Sequence, residues 1–332
     1  MATKSPSPCP DPAAYRAVAA AAARYLKLQP WDAFGDEPIA VLLPGDEEPS
    51  FAVCMGAGGE SFGVAVFRGL AGLRWLLEMA EAGDDQAEEA DQLAVCLEAA
   101  SDLWPHDRAW GKEAGLKFGR GARRPMTVVK RPGYAATAPK AADLVRLAAT
   151  VTAILDAVES GDLDPVGEYG ARLRTVVVGD AEGAPVRVET REFEPPAREP
   201  APVVLPPAEL QSRTVGGGEW AIGLRTLPVR VDGEERVVQG LLVADLDSGL
   251  LLGNTVVPAG DPVAAADGVW DTLNAQPAKQ PLPRRITFTS RACMESTREG
   301  LASLGIECEL ARENPLLDEA FETLTSFLSR RG

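Results

Sequence analysis

Asp245 ends an apolar run, Gly240-Leu-Leu-Val-Ala-Asp245, and opens a short turn, Leu-Asp-Ser-Gly249, before a second apolar run, Leu250–Val257. An acid placed so has two uses. It can ligate a divalent cation through its carboxylate, or it can cap the turn by accepting backbone N–H groups. Further carboxylates follow at Asp247, Asp271 and Asp318. If these converged with Asp245 in a cleft they would make a candidate catalytic set, with Asp245 the candidate metal ligand for Mg²⁺ or Mn²⁺. Asp247, inside the Asp-Ser-Gly turn, is most simply a turn former.

Three other groups of residues have the types for chemistry. The single histidine, His106, stands beside Asp107 in Trp104-Pro-His-Asp-Arg-Ala-Trp110. The pair suits acid–base work, but the sequence sets no nucleophile next to it, so the segment reads as an aromatic packing cluster. Residues 112–140 carry eight Lys/Arg against one Glu, a net of +7 in an acidic chain. Lys117, Arg120, Arg123, Arg124, Lys130 and Arg131 are the candidate anion-binding residues there, with Phe118 and Tyr134 as stacking partners. The plainer reading is a solvated loop whose cations pair with the chain's own acids. Gly56-Ala-Gly-Gly-Glu-Ser61 is rich in glycine but lacks the Gly-Lys-Ser/Thr of a phosphate loop. It joins two strand-like runs and reads as a hairpin.

The elements that must position these groups follow from periodicity. Asp11-Pro12 is a helix start, with Tyr15, Val18, Ala19, Ala22 and Leu26 on one face. Ile39–Leu43, Phe51–Met55 and Phe62–Phe67 read as strands, and Leu70–Ala80 and Gln86–Ala100 as helices. Residues 104–140 read as irregular. Asp143–Val158 is an amphipathic helix, and Arg172–Val178 with Pro185–Glu189 a strand pair. Residues 191–210 hold six prolines and read as an extended linker, because proline fixes φ and cannot support a sheet interior. Beyond it, Trp220–Val231 and Arg236–Asp245 flank an Asp232-Gly233 hairpin signal. Then follow strand Leu250–Val257, helix Asp261–Leu273, strand Arg285–Thr289, helix Ala292–Leu304 with Gly305 as its cap, strand Ile306–Leu310 and helix Pro315–Leu328.

The expected division is a disordered start over 1–10, an α+β domain over 11–190, the linker over 191–210 and an α/β domain over 211–332. A length of 332 residues suits two domains. Hydrophobic content of 45% and charged content of 25% are those of a soluble globular protein. A net charge of −16 disfavours bulk nucleic-acid binding. Five widely spaced cysteines with no C-x-x-C pair point to reduced thiols and away from a disulfide framework or a zinc site. With no apolar run long enough to span a bilayer and no secretory h-region at the start, the expected place is the cytoplasm.

The β-β-β-α-β-α-β-α order over residues 218–330 resembles the RNase H-like superfamily of nucleases and integrases. That resemblance implies carboxylates on the first core strand, an early helix, the end of a later strand and a late helix, holding two divalent metals for phosphodiester cleavage. Asp245 matches the first place, Asp267 or Asp271 the second, and Asp318, Glu319 and Glu322 are available for the last. The third place reads Thr289-Ser290, where the family has an acid, and serine is a poor substitute for a metal-bridging carboxylate. The three late acids also project away from the apolar stripe Leu316, Leu317, Ala320, Phe321, Leu324, Phe327 and Leu328.

A second resemblance spans most of the chain. Trp31, the Val53–Gly56 strand end with its Gly-rich turn, Val66-Phe-Arg-Gly69 and Arg131-Pro-Gly-Tyr134 look like an uncharacterised bacterial two-domain family, in which a small α+β domain precedes an RNase H-like one. It implies architecture and a bacterial origin, and no activity. The reading is therefore an α+β protein with a C-terminal α/β RNase H-like domain that acts as a non-catalytic binding module. A protein partner is favoured, and nucleic acid enters only through segment 112–140. No membrane and no cofactor are expected. The alternative is a metal-dependent nuclease or phosphodiesterase, with Mg²⁺ or Mn²⁺ at Asp245 and its neighbours. Self-association through an exposed sheet edge is a third reading, of which the sequence carries no direct sign.

Overall fold

Asp11 starts the first helix as its sequence predicts: its Oδ1 accepts from the N–H groups of Ala13 and Ala14, and Pro12 takes the first helical position. The computed structural model describes residues 7–82, 90–167, 170–179, 186–230, 236–311 and 313–329. Of the start expected to be disordered, residues 1–6 lie outside the described residues. Cys9 is buried and its N–H donates to Glu113 Oε2 at 2.8 Å. The chain forms two compact units. One holds residues 7–81, 90–131 and 136–197, and the other holds 132–135 and 198–329.

The first unit is a seven-stranded sheet with helices. Its strands are β1 (Ile39–Leu42), β2 (Ser50–Met55), β3 (Gly63–Arg68), β4 (Gln92–Glu98), β5 (Arg124–Lys130), β6 (Arg172–Val177) and β7 (Arg187–Glu192). They lie in the order β5-β4-β3-β2-β1-β6-β7, antiparallel throughout except for β1 beside β6. The helices are α1 (Pro12–Leu28), the single turn α2 (Trp31–Phe34), α3 (Gly69–Ala82), α4 (Pro105–Glu113) and α5 (Ala141–Glu159). The apolar stripes read from the sequence meet in one core: Tyr15, Val18 and Ala22 of α1 join Leu144, Leu147, Val151 and Ile154 of α5.

Two expectations for this unit are corrected. The helix predicted over Gln86–Ala100 is a strand over Gln92–Glu98, and residues 83–89 lie outside the described residues. β4 sits between β3 and β5, with Leu93, Ala94, Val95 and Leu97 all buried. A strand buried on both faces gives a continuous apolar run, which periodicity cannot separate from a buried helix. The second correction concerns 104–140, read as irregular. It contains α4, begun by Pro105, and the edge strand β5. Pro125 near the start of β5 is tolerated because an edge strand has a side with no ladder partner.

The second unit has the predicted β-β-β-α-β-α-β-α element order, a mixed sheet with helices on its faces. It consists of β8 (Val215–Arg230), β9 (Val237–Asp245), β10 (Leu251–Pro258), α6 (Pro262–Ala275), β11 (Leu282–Phe288), α7 (Arg291–Leu304), β12 (Glu307–Leu310) and α8 (Pro315–Ser329). The strands lie in the order β10-β9-β8-β11-β12. β9 runs antiparallel to both neighbours, while β8, β11 and β12 are parallel. Alternation along the strands sends Trp220, Ile222, Leu241 and Val243 to one face, where Val269 and Trp270 of α6 and Cys293 and Leu301 of α7 bury them. Ala221, Leu242 and Ala244 face the other way, under Leu317 and Phe321 of α8. The Asp232-Gly233 turn lies outside the described residues. In the Pro-rich stretch, the Val204 N–H donates to Ser296 O at 2.9 Å, laying that segment along α7.

Candidate functional site

Asp245 and the exposed Asp247 share one turn, and the other candidate carboxylates stand apart from it. Asp245 ends β9, the second strand of its sheet. Its Oδ1 accepts from the backbone N–H of Asp247 at 2.9 Å and of Ser248 at 3.2 Å. Its own N–H donates to Leu250 O and its carbonyl accepts from Gly249, both at 2.9 Å. The residue is thus the cap of the turn between β9 and β10. The first strand, β8, carries Glu219 as its acid, and Glu219 pairs with Arg284 at 2.7 Å. Asp318, in the first turn of α8, is ion-paired to Arg225.

Two geometric facts separate Asp318 from Asp245. Arg225 lies five residues along β8 from Trp220, the register partner of Asp245, which is roughly 16 Å of strand. Arg225 also stands on the α8 face, over the Phe321 ring, whereas alternation puts Asp245 with Leu241 and Val243 on the α6/α7 face. Asp267 and Asp271 of α6 and Glu319 and Glu322 of α8 are exposed. Among the described residues no three His, Cys, Asp or Glu are placed to hold a metal ion together. Ser290, where the family resemblance calls for an acid, is the N-cap of α7, accepting from the Cys293 N–H.

What the second unit does gather is a cleft of about 340 Å³ at the C-terminal end of β11. Leu224 of β8 and Gln239 of β9 line it, together with Thr289, Ser290 and the start of α6 at Asp261 and Pro262. Two helix N-termini therefore open beside it, each closed by its own cap: Asp261 Oδ1 accepts from Ala264 at 3.0 Å. The carboxyl ends of strands are where open α/β sheets bind ligands. Cys293 lines the cleft, but burial pushes its thiol up to about 12, so it stays protonated and poorly nucleophilic at neutral pH. No sequence pattern points to Leu224 or Gln239, because the cleft is assembled from strands and loops far apart along the chain.

The basic segment of the first unit is split. Arg123 Nη1 donates to Leu97 O at 2.9 Å and its guanidinium lies 4.4 Å from the Phe62 ring centre. Arg124 lies 5.2 Å from the Phe118 ring centre. Lys117 and Arg120 are exposed in the connection before β5. Lys130 and Arg131 stand at the far end of that strand, six residues from Arg124, about 20 Å away.

His106 and Asp107 do come together, with two hydroxyls that the sequence did not single out. Asp107 Oδ1 accepts from Thr127 N at 3.1 Å, Thr127 Oγ1 at 2.8 Å and Tyr15 OH at 3.2 Å. Oδ2 has His106 Nε2 3.2 Å away, off the line of a good hydrogen bond, and Nε2 is also 3.3 Å from Thr127 O. Burial raises the Asp107 pKa, opposed by His106 and by the Thr127 and Tyr15 hydrogen bonds. The His106 ring stands 4.7 Å from Trp110 and 5.4 Å from Trp104, so the aromatic cluster expected here is present. Asp107 ties α4 to β5 and α1, a structural duty that uses up its inner oxygen.

Known proteins add little chemistry to this geometry. Residues 15–165 match a Domain of unknown function (DUF7309). Residues 208–325 match another Domain of unknown function (DUF6930). Among curated proteins, none matches the chain. A solved structure, the catalytic core domain of BIV integrase, is similar at 15% identity, over 35% of this chain and 71% of that one, with a TM-score of 0.27. A likeness of that depth says nothing of activity. Among the described residues, no helix is long and apolar enough to cross a membrane.

Proposed function

We propose that this protein is a non-catalytic binding module, its second unit an RNase H-like scaffold without metal chemistry. One observation carries the reading. Asp245 Oδ1 is spent on the N–H groups of Asp247 and Ser248, Asp247 is exposed in that same turn, and the remaining candidate acids stand elsewhere, on α8 paired to Arg225 or exposed on α6, so among the described residues no third carboxylate joins the turn. A two-metal site needs carboxylates that converge. Binding then falls to surfaces, and the cleft at the end of β11 has the position and size for a ligand or a partner side chain.

The test is cleavage. Wild-type protein and Asp245→Asn are incubated at high concentration with single- and double-stranded DNA and RNA, in Mg²⁺ and in Mn²⁺. The expected result is no cleavage by either protein. Cleavage by the wild type that the variant loses would overturn the reading and establish a metal nuclease.

A further inference from the structure

The two sheets present four edges among the described strands: β5 and β7 in the first unit, β10 and β12 in the second. Three are guarded against pairing with another strand. β5 begins and ends with a cation, Arg124 and Lys130, carries Pro125, and is partly covered by a bridge from Thr137 to Val129. β7 reads Arg-Val-Glu-Thr-Arg-Glu, charged at four of six positions. β12 is four residues long and carries Glu307 and Glu309. Charge, proline and shortness are the devices by which proteins keep sheet edges from pairing.

β10 has none of these along its length until its last residue. It is eight residues long, and the whole stretch from Ser248 to Gly260 holds no charged side chain. Leu250 is 63% exposed, Leu251 49% and Val256 59%. α6 packs against one face of the strand, near Gly253 and Thr255. α8 covers β8 and β9 on the opposite face, where Asn254 and Val256 remain exposed. A bulge at Leu251/Gly253 interrupts the ladder, and Pro258 closes it, so the regular pairing stretch is Gly253–Val257.

We infer that β10 is the interface of a two-fold homodimer, pairing antiparallel with β10 of a second copy to give one continuous ten-stranded sheet. A second copy meets the least opposition at this strip. Two copies of a chain of net −16 repel each other over most of their surfaces, and a neutral strip is where that repulsion is least. Antiparallel pairing of a strand with itself is self-complementary, as an isologous two-fold contact requires. It also closes: each copy uses up its unguarded edge, so the assembly stops at two and does not grow into a fibre.

Sedimentation velocity of the full chain over a wide concentration range reads the state directly. The expected result is a dimer whose dissociation constant rises about tenfold or more in Val256→Lys and in Asn254→Lys, since both positions flank the centre of the Gly253–Val257 stretch and each substitution sets like charges beside the two-fold axis. Both positions are exposed, and circular dichroism checks that each variant keeps the wild-type fold. Leu310→Lys, on the opposite edge β12, is expected to leave the dimer intact. Hydrogen exchange is expected to protect β10 amides more strongly as concentration rises. A monomer at every concentration overturns the inference, as does a dimer that both β10 variants leave unchanged or that Leu310→Lys breaks. None of these outcomes touches the reading of Asp245, which stands or falls on cleavage.

Discussion

At the scale of single residues, Asp107 and Asp245 are both acids held by hydrogen bonds, and their surroundings decide what each does. Asp245 is half-buried and answers two backbone N–H groups, so its charge is used locally to shape a turn. Asp107 is buried, and desolvation raises its pKa in spite of His106, Thr127 and Tyr15. A raised folded-state pKa means the folded chain holds this proton more tightly than the unfolded chain. The stability Asp107 contributes is then fully present below the unfolded carboxylate value, near 3.9, and is lost as pH rises through the folded value. Asp107→Asn keeps the shape and removes the titration. The melting temperature of the wild type relative to Asp107→Asn is expected to fall as pH rises above about 4. A difference that stays flat or grows would mean that the ionised carboxylate is stabilising where it sits. The adjacency of His106 and Asp107 is plain in the sequence. Thr127 and Tyr15 are not legible as their partners, since β5 and α1 bring them in from 20 and 92 residues away.

At the scale of elements, caps and apolar periods carry most of what is legible. Asp11, Asp261, Ser290 and Gly305 bound their helices as their types predict, the last in the left-handed conformation at φ 79°. Ser290 has a double history: at the family's acid position by resemblance, and a helix cap by geometry. Ser290→Ala is expected to cost about 1 kcal/mol in chemical denaturation. Ser290→Asp, which restores an acid, is expected to keep the cap and hold stability near wild type while gaining no nuclease activity. Cleavage of nucleic acid by Ser290→Asp would show that the remaining acids do converge. The element the sequence misleads on is β4, because a strand buried on both faces loses the alternation that identifies a strand. β5 is hidden for a different reason: its basic ends and Pro125 make an edge strand look like a loop.

At the scale of the whole molecule, an excess of sixteen negative charges sets a background of self-repulsion that local ion pairs offset only in part. The pairs Arg24–Asp156, Arg24–Glu159 and Arg285–Glu307 are substantially exposed, where each contributes little. Added NaCl is therefore expected to raise the melting temperature, by screening repulsion more than it weakens those pairs. A fall with salt would show that attraction dominates. Composition, caps and periodicity were enough to read the α+β class and the β-β-β-α-β-α-β-α order of the second unit, because those features are local and each residue reports its own burial. Whether acids converge is not local. Asp245 and Asp318 differ by five positions of register along β8 and by the face of the sheet, and nothing in the linear chain encodes either. The cleft at the end of β11 and the unguarded edge of β10 are likewise products of strand order, which only packing decides. The sequence determined which residues are able to do chemistry, and the tertiary structure decided which of them meet.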